Sequence, residues 1–472
     1  MKEEYTEKRR GWIIVLSIIA VLLIGVGIFF YYSFFRQSKS ELIEAVPTDA
    51  LFLYEVNDNT DFTKGITPLL TYFNELFAMD ALPAYETIHN ALPIDQYDIT
   101  ISGHPIEEGI ALLFNTHIDQ NNFRKLLKSL SIDPANFESF EQQKIYTYGT
   151  NFKNLRFVYF NHILSVTTSK DLLKKAIIQH RHPKNLLSEE TFHNLYNIAE
   201  KNKKQNWLFI NDGAYCDYLD DFFAPEVVKK IQKFKSMTTW SAFQLRFSQN
   251  EILLSGYTST SATEFDRLKG EKADAVLPED VLPYHTNWYY KMERSDYDIC
   301  RVGVAPDSVK NYEYLLIHRD SLGHGFNPFG TAQRADEMAA AYPNNIFPLS
   351  DSVKVPTSSS FDSSHYSVFT IKGNYYIFAT SEEALNAFGQ DLSTNNTISQ
   401  NRYYKFSKGN IASSNVIEYT YYNTKEGRPL LKKMSAKGKA THFGHDMAIF
   451  SISCSDITDE YASVNIYVNF VK

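Results

Sequence analysis

Cysteine is scarce: three residues in a chain of 472. Cys216, Cys300 and Cys454 lie far apart with no C-x-x-C pair, which excludes zinc-ribbon and thioredoxin-like spacings. An odd number cannot all pair within one chain, so disulfides do not hold this fold together; at most one is available, and its partners stay open. Cys454 falls on the apolar side of the alternation Ala448, Phe450, Ile452, Cys454, the placement of a buried, inert thiol. The glycine-rich loops that cradle phosphates are missing in both common forms, G-x-G-x-x-G and G-x-x-x-x-G-K-[ST]. So are the H-E-x-x-H metal motif and the G-x-S-x-G nucleophile elbow; Ser321-Leu322-Gly323-His324-Gly325 has the wrong order for the latter. Beyond residue 35 no segment approaches eighteen consecutive apolar residues. Excess positive charge is missing too. Without its first ten residues the chain carries about −9, which argues against nucleic acid or anionic lipid as a partner.

What is present begins with residues 11–35, GWIIVLSIIAVLLIGVGIFFYYSFF, without one charge. As a helix rising about 1.5 Å per residue this run exceeds the ~30 Å hydrocarbon core of a bilayer. It is too long for a cleaved signal peptide and lacks an A-x-A-like exit, so it reads as an uncleaved signal-anchor. Lys2, Lys8, Arg9 and Arg10 precede it, against Arg36 and Lys39 after it. That bias keeps the N-terminus in the cytoplasm and places the rest outside. Trp12 and the Phe/Tyr cluster at residues 29–35 would sit at the two interfaces.

The organisation expected is a cytoplasmic tail (1–10), one transmembrane helix (11–35), a polar neck (36–44), a first domain (45–260), a linker (261–274) and a second domain (275–472). Thirty-four phenylalanines and 31 tyrosines favour strands and packed cores. Strands are expected near 51–56, 97–102, 109–114, 144–149, 155–160, 163–168, 206–211, 239–248 and 251–259, with helices at 61–92, 119–130, 169–179, 189–201 and 225–235. The second half answers the first in order. Ala275-Val276-Leu277-Pro278 answers Ala45-Val46-Pro47. Thr380-Ser381-Glu382-Glu383-Ala384-Leu385 answers Thr168-Ser169-Lys170-Asp171-Leu172-Leu173, each with threonine at the N-cap. Ser399, Tyr403 and Phe406 answer Ser188, Phe192 and Leu195, and the last hairpin answers 239–259. Residues 322–362, rich in Gly, Pro, Ser and Asn, read as exposed irregular loops. The fold class expected is α+β: two similar domains, each an antiparallel sheet with helices packed on one face.

The single N-terminal span, the short neck, the A-V-P-x-D-A turn at residues 45–50 and the two-part aromatic-rich remainder resemble the bacterial, Bacteroidetes-like envelope proteins of the domain of unknown function 3352 family. The resemblance implies a membrane-anchored envelope protein and brings no catalytic residues with it. Leu277 departs from the turn pattern of the first copy.

Candidate chemistry is sparse. His442, His445 and Asp446 offer metal-ligand types within five residues, but in a Lys-rich turn. His180 and His182 flank Arg181 at a helix end, where cations complement the dipole. His318 and His324 flank Arg319 and Asp320 as acid–base types. Asp217, Asp220 and Asp221 beside Tyr215, Tyr218, Phe222 and Phe223 could form a sugar cleft, or simply two faces of one helical turn. No catalytic, cofactor-binding or metal residue is assigned from these. The function expected is a non-enzymatic binding or scaffold module facing another envelope protein or component. The alternatives are an envelope hydrolase with a dispersed site between the two domains, and a carrier of lipid or unfolded protein.

Overall fold

The computed structural model describes residues 40–57, 90, 98–106, 109–149, 154–201, 205–219, 238–248, 251–260, 279–292, 299–304, 312–318, 327–349, 365–394, 396–411, 416–423 and 447–470. The apolar run at 11–35, the cytoplasmic tail, the linker, the expected helix at 61–92 apart from residue 90, and the expected helix at 225–235 lie outside these residues. Among the described residues no helix is long and apolar enough to cross a membrane.

The first half runs α1 (Ser40–Glu44), β1 (Phe52–Val56), β2 (Ile99–Ile106), β3 (Gly109–His117), α2 (Gln120–Ser129), β4 (Glu138–Phe140), β5 (Gln143–Gly149), β6 (Asn154–Phe160), β7 (Ile163–Thr167), α3 (Lys170–Arg181), α4 (Glu190–Glu200), β8 (Trp207–Asn211), α5 (Asp212–Leu219), β9 (Trp240–Ser248) and β10 (Glu251–Ser259). The second runs β11 (Thr286–Met292), β12 (Ile299–Val304), β13 (Tyr312–His318), α6 (Ala332–Ala341), β14 (Ile346–Pro348), β15 (Val368–Lys372), β16 (Tyr375–Ala379), α7 (Glu382–Ser393), α8 (Arg402–Gly409), β17 (Val416–Asn423), β18 (Met447–Ser455) and β19 (Tyr461–Phe470). The class is α+β, and among the described residues every strand pairing is antiparallel.

The pairings form one unbranched ladder: β4-β5-β6-β7-β3-β2-β1-β8-β9-β10, then β19-β18-β17-β11-β12-β13-β16-β15-β14. From β5 to β10, and from β14 to β19, the strands follow the same order, and β10 joins β19 antiparallel. Ser255 opposite Asn465 is the centre of that nine-pair junction. Registers agree in detail. Phe52 lies opposite Gly103 and Trp288 opposite Gly303, and in each case a Cβ on the glycine would overlap the facing ring. A glycine is the residue that lets an aromatic lie flat on its neighbouring strand.

Register also corrects the turn alignment. Pro47 precedes Phe52 by the same interval as Pro283 precedes Trp288, so Val281-Leu282-Pro283 matches the first turn, rather than residues 276–278, which lie outside the described residues. Helix α4 opens after Glu189 and α8 after Asn401, which makes Phe192 and Tyr404 the matching core residues. Both are fully buried, whereas Phe406 is 46% exposed. The helix caps shift by one residue as well. Ser169 and Ser381, rather than the threonines before them, accept from the backbone N–H of Leu172 and Ala384. Asp171, Glu382 and Glu383 then lie in first turns, where acids complement the dipole.

Helices cover both faces of the ladder, not one. In the first half α3 packs Leu172, Leu173, Ala176 and Ile177 on Ala111, Leu113, Val158 and Ile163, while α4 packs Phe192, Leu195 and Tyr196 on Leu53, Phe209 and Ala242. Helix α2 packs Phe123, Leu126 and Leu127 against the opposite set, Ile110, Leu112, Phe157 and Val166. The second half repeats this, with α7 and α8 on one face and α6 on the other. Side chains alternate along a strand, and both sets here are apolar, so each face needs a cover. The stretch expected to be irregular, 322–362, contains α6 and β14; Thr331 caps α6, and Phe329 and Phe347 are buried beside it. The expected polar neck is docked too: Leu42 and Ile43 of α1 are fully buried.

Candidate functional site

The face of β2 that meets α1 is polar: Thr100, Ser102 and His104, all buried. The turn after α1 closes through Val46 N–H to Ile43 O and Ala50 N–H to Pro47 O, and this brings Asp49 over the end of β2. Asp49 Oδ1 lies 2.9 Å from His104 Nδ1, and Ser102 Oγ lies 2.9 Å from His104 Nε2. Lys175 of α3 donates to Asp49 Oδ2 at 2.6 Å. One arrangement satisfies every partner: a neutral imidazole donates from Nδ1 to the carboxylate and accepts the Ser102 hydroxyl proton at Nε2.

Burial pushes the His104 pKa down, which keeps the ring neutral. The hydrogen bond from His104, followed by that from Lys175, holds the Asp49 carboxyl well below its usual range. Hydroxyl, imidazole and carboxylate thus stand in the order of a serine-hydrolase triad. Their exposure is inverted for that role: Ser102 is 0% and His104 1% exposed, while the Asp49 side chain is 40% exposed. The carboxylate sits at the solvent end and the hydroxyl at the closed end. Nothing in the sequence pointed to this set except the i, i+2 placement of Ser102 and His104; Asp49 is 55 positions from His104.

A second buried acid lies near the junction of the halves. Asp212 starts α5 with its N–H bonded to Thr239 O. Its Oδ2 is 2.8 Å from Ser241 Oγ, which is 2.9 Å from Thr258 Oγ1. Desolvation raises its pKa to about 7, partly offset by the hydroxyls. A carboxyl raised this far keeps its proton in the folded state from the ordinary value of about 3.9 upward, so stability falls as pH rises across that window. Asp212→Asn is therefore expected to leave unfolding free energy near pH 4 little changed and to raise it at pH 8 by up to about 4 kcal/mol, checked by urea unfolding at both pH values.

In the second half the core under α7 and α8 carries tyrosine where the first carries Leu53, Phe192, Trp207 and Phe209. Tyr289, Tyr404, Tyr419 and Tyr421 are buried, and Tyr289 donates to Tyr404 Oη at 3.0 Å. Burial raises the pKa of Tyr289 and pushes that of Tyr419 up to about 12, so these phenols stay neutral.

The other sequence candidates do not converge. His180 meets Asn161 and lies tilted against the Phe160 ring, and His182 meets Lys184 O. His318 lies edge-on to Tyr375. Asp217 is exposed, and His324, Asp220, Asp221, His442, His445 and Asp446 lie outside the described residues. Among the described residues no cluster of three or more His, Cys, Asp or Glu is placed to hold a metal. Cys216, Cys300 and Cys454 are buried and are not joined in disulfides.

No family profile matches the chain, and no curated protein matches it in sequence. Two crystal forms of the protein TP0453 are weakly similar in structure. Form IV has 11% identity and a TM-score of 0.28 over 48% of this chain and 85% of that one; form III has 9% and 0.26 over 73% and 96%. Likeness at this level carries no argument.

Proposed function

We propose that this is a single-pass protein of the cytoplasmic membrane that holds a non-enzymatic binding or scaffold module in the bacterial envelope. In this reading residues 11–35 anchor the chain, with Lys8-Arg9-Arg10 on the cytoplasmic side, and two related domains, 45–260 and 275–472, face the periplasm. The partner is another envelope protein or component. Membership in the domain of unknown function 3352 group is part of the same proposal.

The observation that supports a scaffold over a hydrolase is the inverted exposure of Ser102, His104 and Asp49. The carboxylate belongs to the segment that lies over β2 and β3. Lifting that segment to admit a substrate would carry the acid away with it, so the three groups cannot be open and assembled together. The specific observation favouring the hydrolase is the bonding order itself, and one probe separates the readings. A fluorophosphonate added to the full-length protein in detergent is expected to leave Ser102 unlabelled. Labelling that disappears in Ser102→Ala would establish the hydrolase instead. Placement is tested by protease on intact spheroplasts: degradation of the C-terminal portion supports the topology, and full protection overturns it.

A further inference from the structure

The two halves solve one structural problem in different ways. Gly103 and Gly303 hold matching places on β2 and β12, each under an aromatic ring. Their flanking residues are Ser102 and His104 in the first half but Val302 and Val304 in the second, where both valines are buried. The turn position three residues before the ring is Asp49 in one and His285 in the other. An apolar pair therefore fills this part of the fold, and packing alone does not call for the polar set.

What the polar set holds is particular to the first half. Leu42, Ile43, Ala45 and Val46 are fully buried. Leu42 and Ala45 sit with Ala111, Leu113 and the apolar face of α3; Ile43 and Val46 sit with Phe192, Trp207 and Phe209. Asn115 donates to Leu42 O at 3.3 Å and accepts from Ser165 at 2.6 Å. This docked segment follows directly on the chain that comes from the apolar run.

We propose that Asp49, His104 and Ser102, braced by Lys175, form an acid-released latch that fastens residues 40–50 to the sheet, so that the junction between the N-terminal run and the folded body loosens as the medium is acidified. The groups facing His104 are Asp49 from the turn, Lys175 from α3 by way of Asp49, and Ser102 on its own strand; opposite it on β3 stands Ala111. When the segment lifts, His104 meets water and recovers an imidazole's ordinary value of about 6.5. Between that value and its lower latched value the open form binds a proton that the closed form does not. Acid thus favours opening, by up to about tenfold per pH unit. Asp49 stays ionised across this window and adds a second loss at lower pH, below the ordinary carboxylate value of about 3.9. Glu44, raised by burial, leans the other way, as does Asp212 on overall stability, so the readout must be local.

The test is amide hydrogen exchange of the full-length protein in detergent from pH 7.5 to 5, corrected for intrinsic exchange. The opening constant of residues 40–50 is expected to rise steadily below about pH 6.5, while the β6–β7 hairpin stays within a few-fold. Ser102→Val with His104→Val, the pair native to the second half, is expected to keep the segment protected and abolish the pH response. Flat protection in the wild type, or an unchanged slope in the valine pair, overturns the latch. Should the valine pair not fold, Asp49→Asn serves in its place: faster opening already at pH 7.5 supports the latch, and unchanged protection there overturns it.

Discussion

Gly256→Ala is expected to destabilise the protein by about 2–4 kcal/mol, one of the largest effects of any single methyl group in this fold. Gly256 lies in β10, opposite Phe243 on one side and Val464 on the other, so it belongs to the junction of the two halves. A Cβ there would overlap the carbonyl oxygen of Ala242 and crowd the Ala242 carbonyl carbon and Phe243 Cα. These are backbone atoms and cannot rotate aside, so the strands must part. The loss would spread into the apolar cluster of Phe243, Cys454, Ile457, Ala462 and Val464 that spans the junction. Gly389 in α7 is the control: a Cβ there meets nothing within 4 Å. Gly389→Ala is expected to be neutral or to stabilise by about 0.5–1 kcal/mol, the usual gain of alanine over glycine inside a helix. Urea unfolding of the two variants beside the wild type reads both effects.

Phe192→Ala is expected to cost about 3–5 kcal/mol, the range for truncating a buried aromatic. The Phe192 ring is fully buried, with centroids 5.2 Å from Phe209, 4.8 Å from Trp240 and 6.0 Å from Tyr196. Its removal leaves a cavity walled by large rings held on two strands and a helix, which have little freedom to collapse. The matching position in the second half separates volume from hydroxyl. Tyr404→Phe keeps the ring and deletes one hydrogen-bonding group, leaving Tyr289 without its acceptor, and is expected to cost about 1–3 kcal/mol. A cost for Phe192→Ala below that of Tyr404→Phe would contradict the equivalence of the two cores.

The α+β class was legible because its signals are local. Alternation of Phe243, Leu245 and Phe247 with polar residues marked β9, and an amphipathic stretch after a hydroxyl residue marked α3 and α7, although the threonine expected at each cap stands one residue before the serine that fills it. What escaped depends on contacts far apart in the chain. Thr100, Ser102 and His104 alternate with Ile99, Ile101 and Gly103, a pattern that reads as a strand with one wet face; α1 and its turn cover that face. Sequence gives no hint that residues from before the first strand return to lie there. The Gly- and Pro-rich flanks of 322–362 hid a helix whose middle, AQRADEMAAA, is an ordinary helix former. The Pro278 alignment failed because two V-L-P triplets stand five residues apart, and strand register chooses the second. Helices on both faces could not be inferred from an alternation that marks one face of each strand at a time.

The pairing of matching strands β10 and β19 about Ser255 and Asn465 is the claim on which the rest depends. It is tested by oxidising a full-length variant with cysteines at these two positions, in a background where Cys216, Cys300 and Cys454 are alanine. Residues directly opposite on antiparallel strands have Cβ atoms about 4.5–5.5 Å apart, within reach of a disulfide after small adjustment. A rapid intramolecular cross-link between positions 255 and 465, absent when the second cysteine is placed at Tyr461 instead, is the expected result. Equal cross-linking of both pairs, or none at 255 and 465, would contradict the register and with it the two-copy architecture.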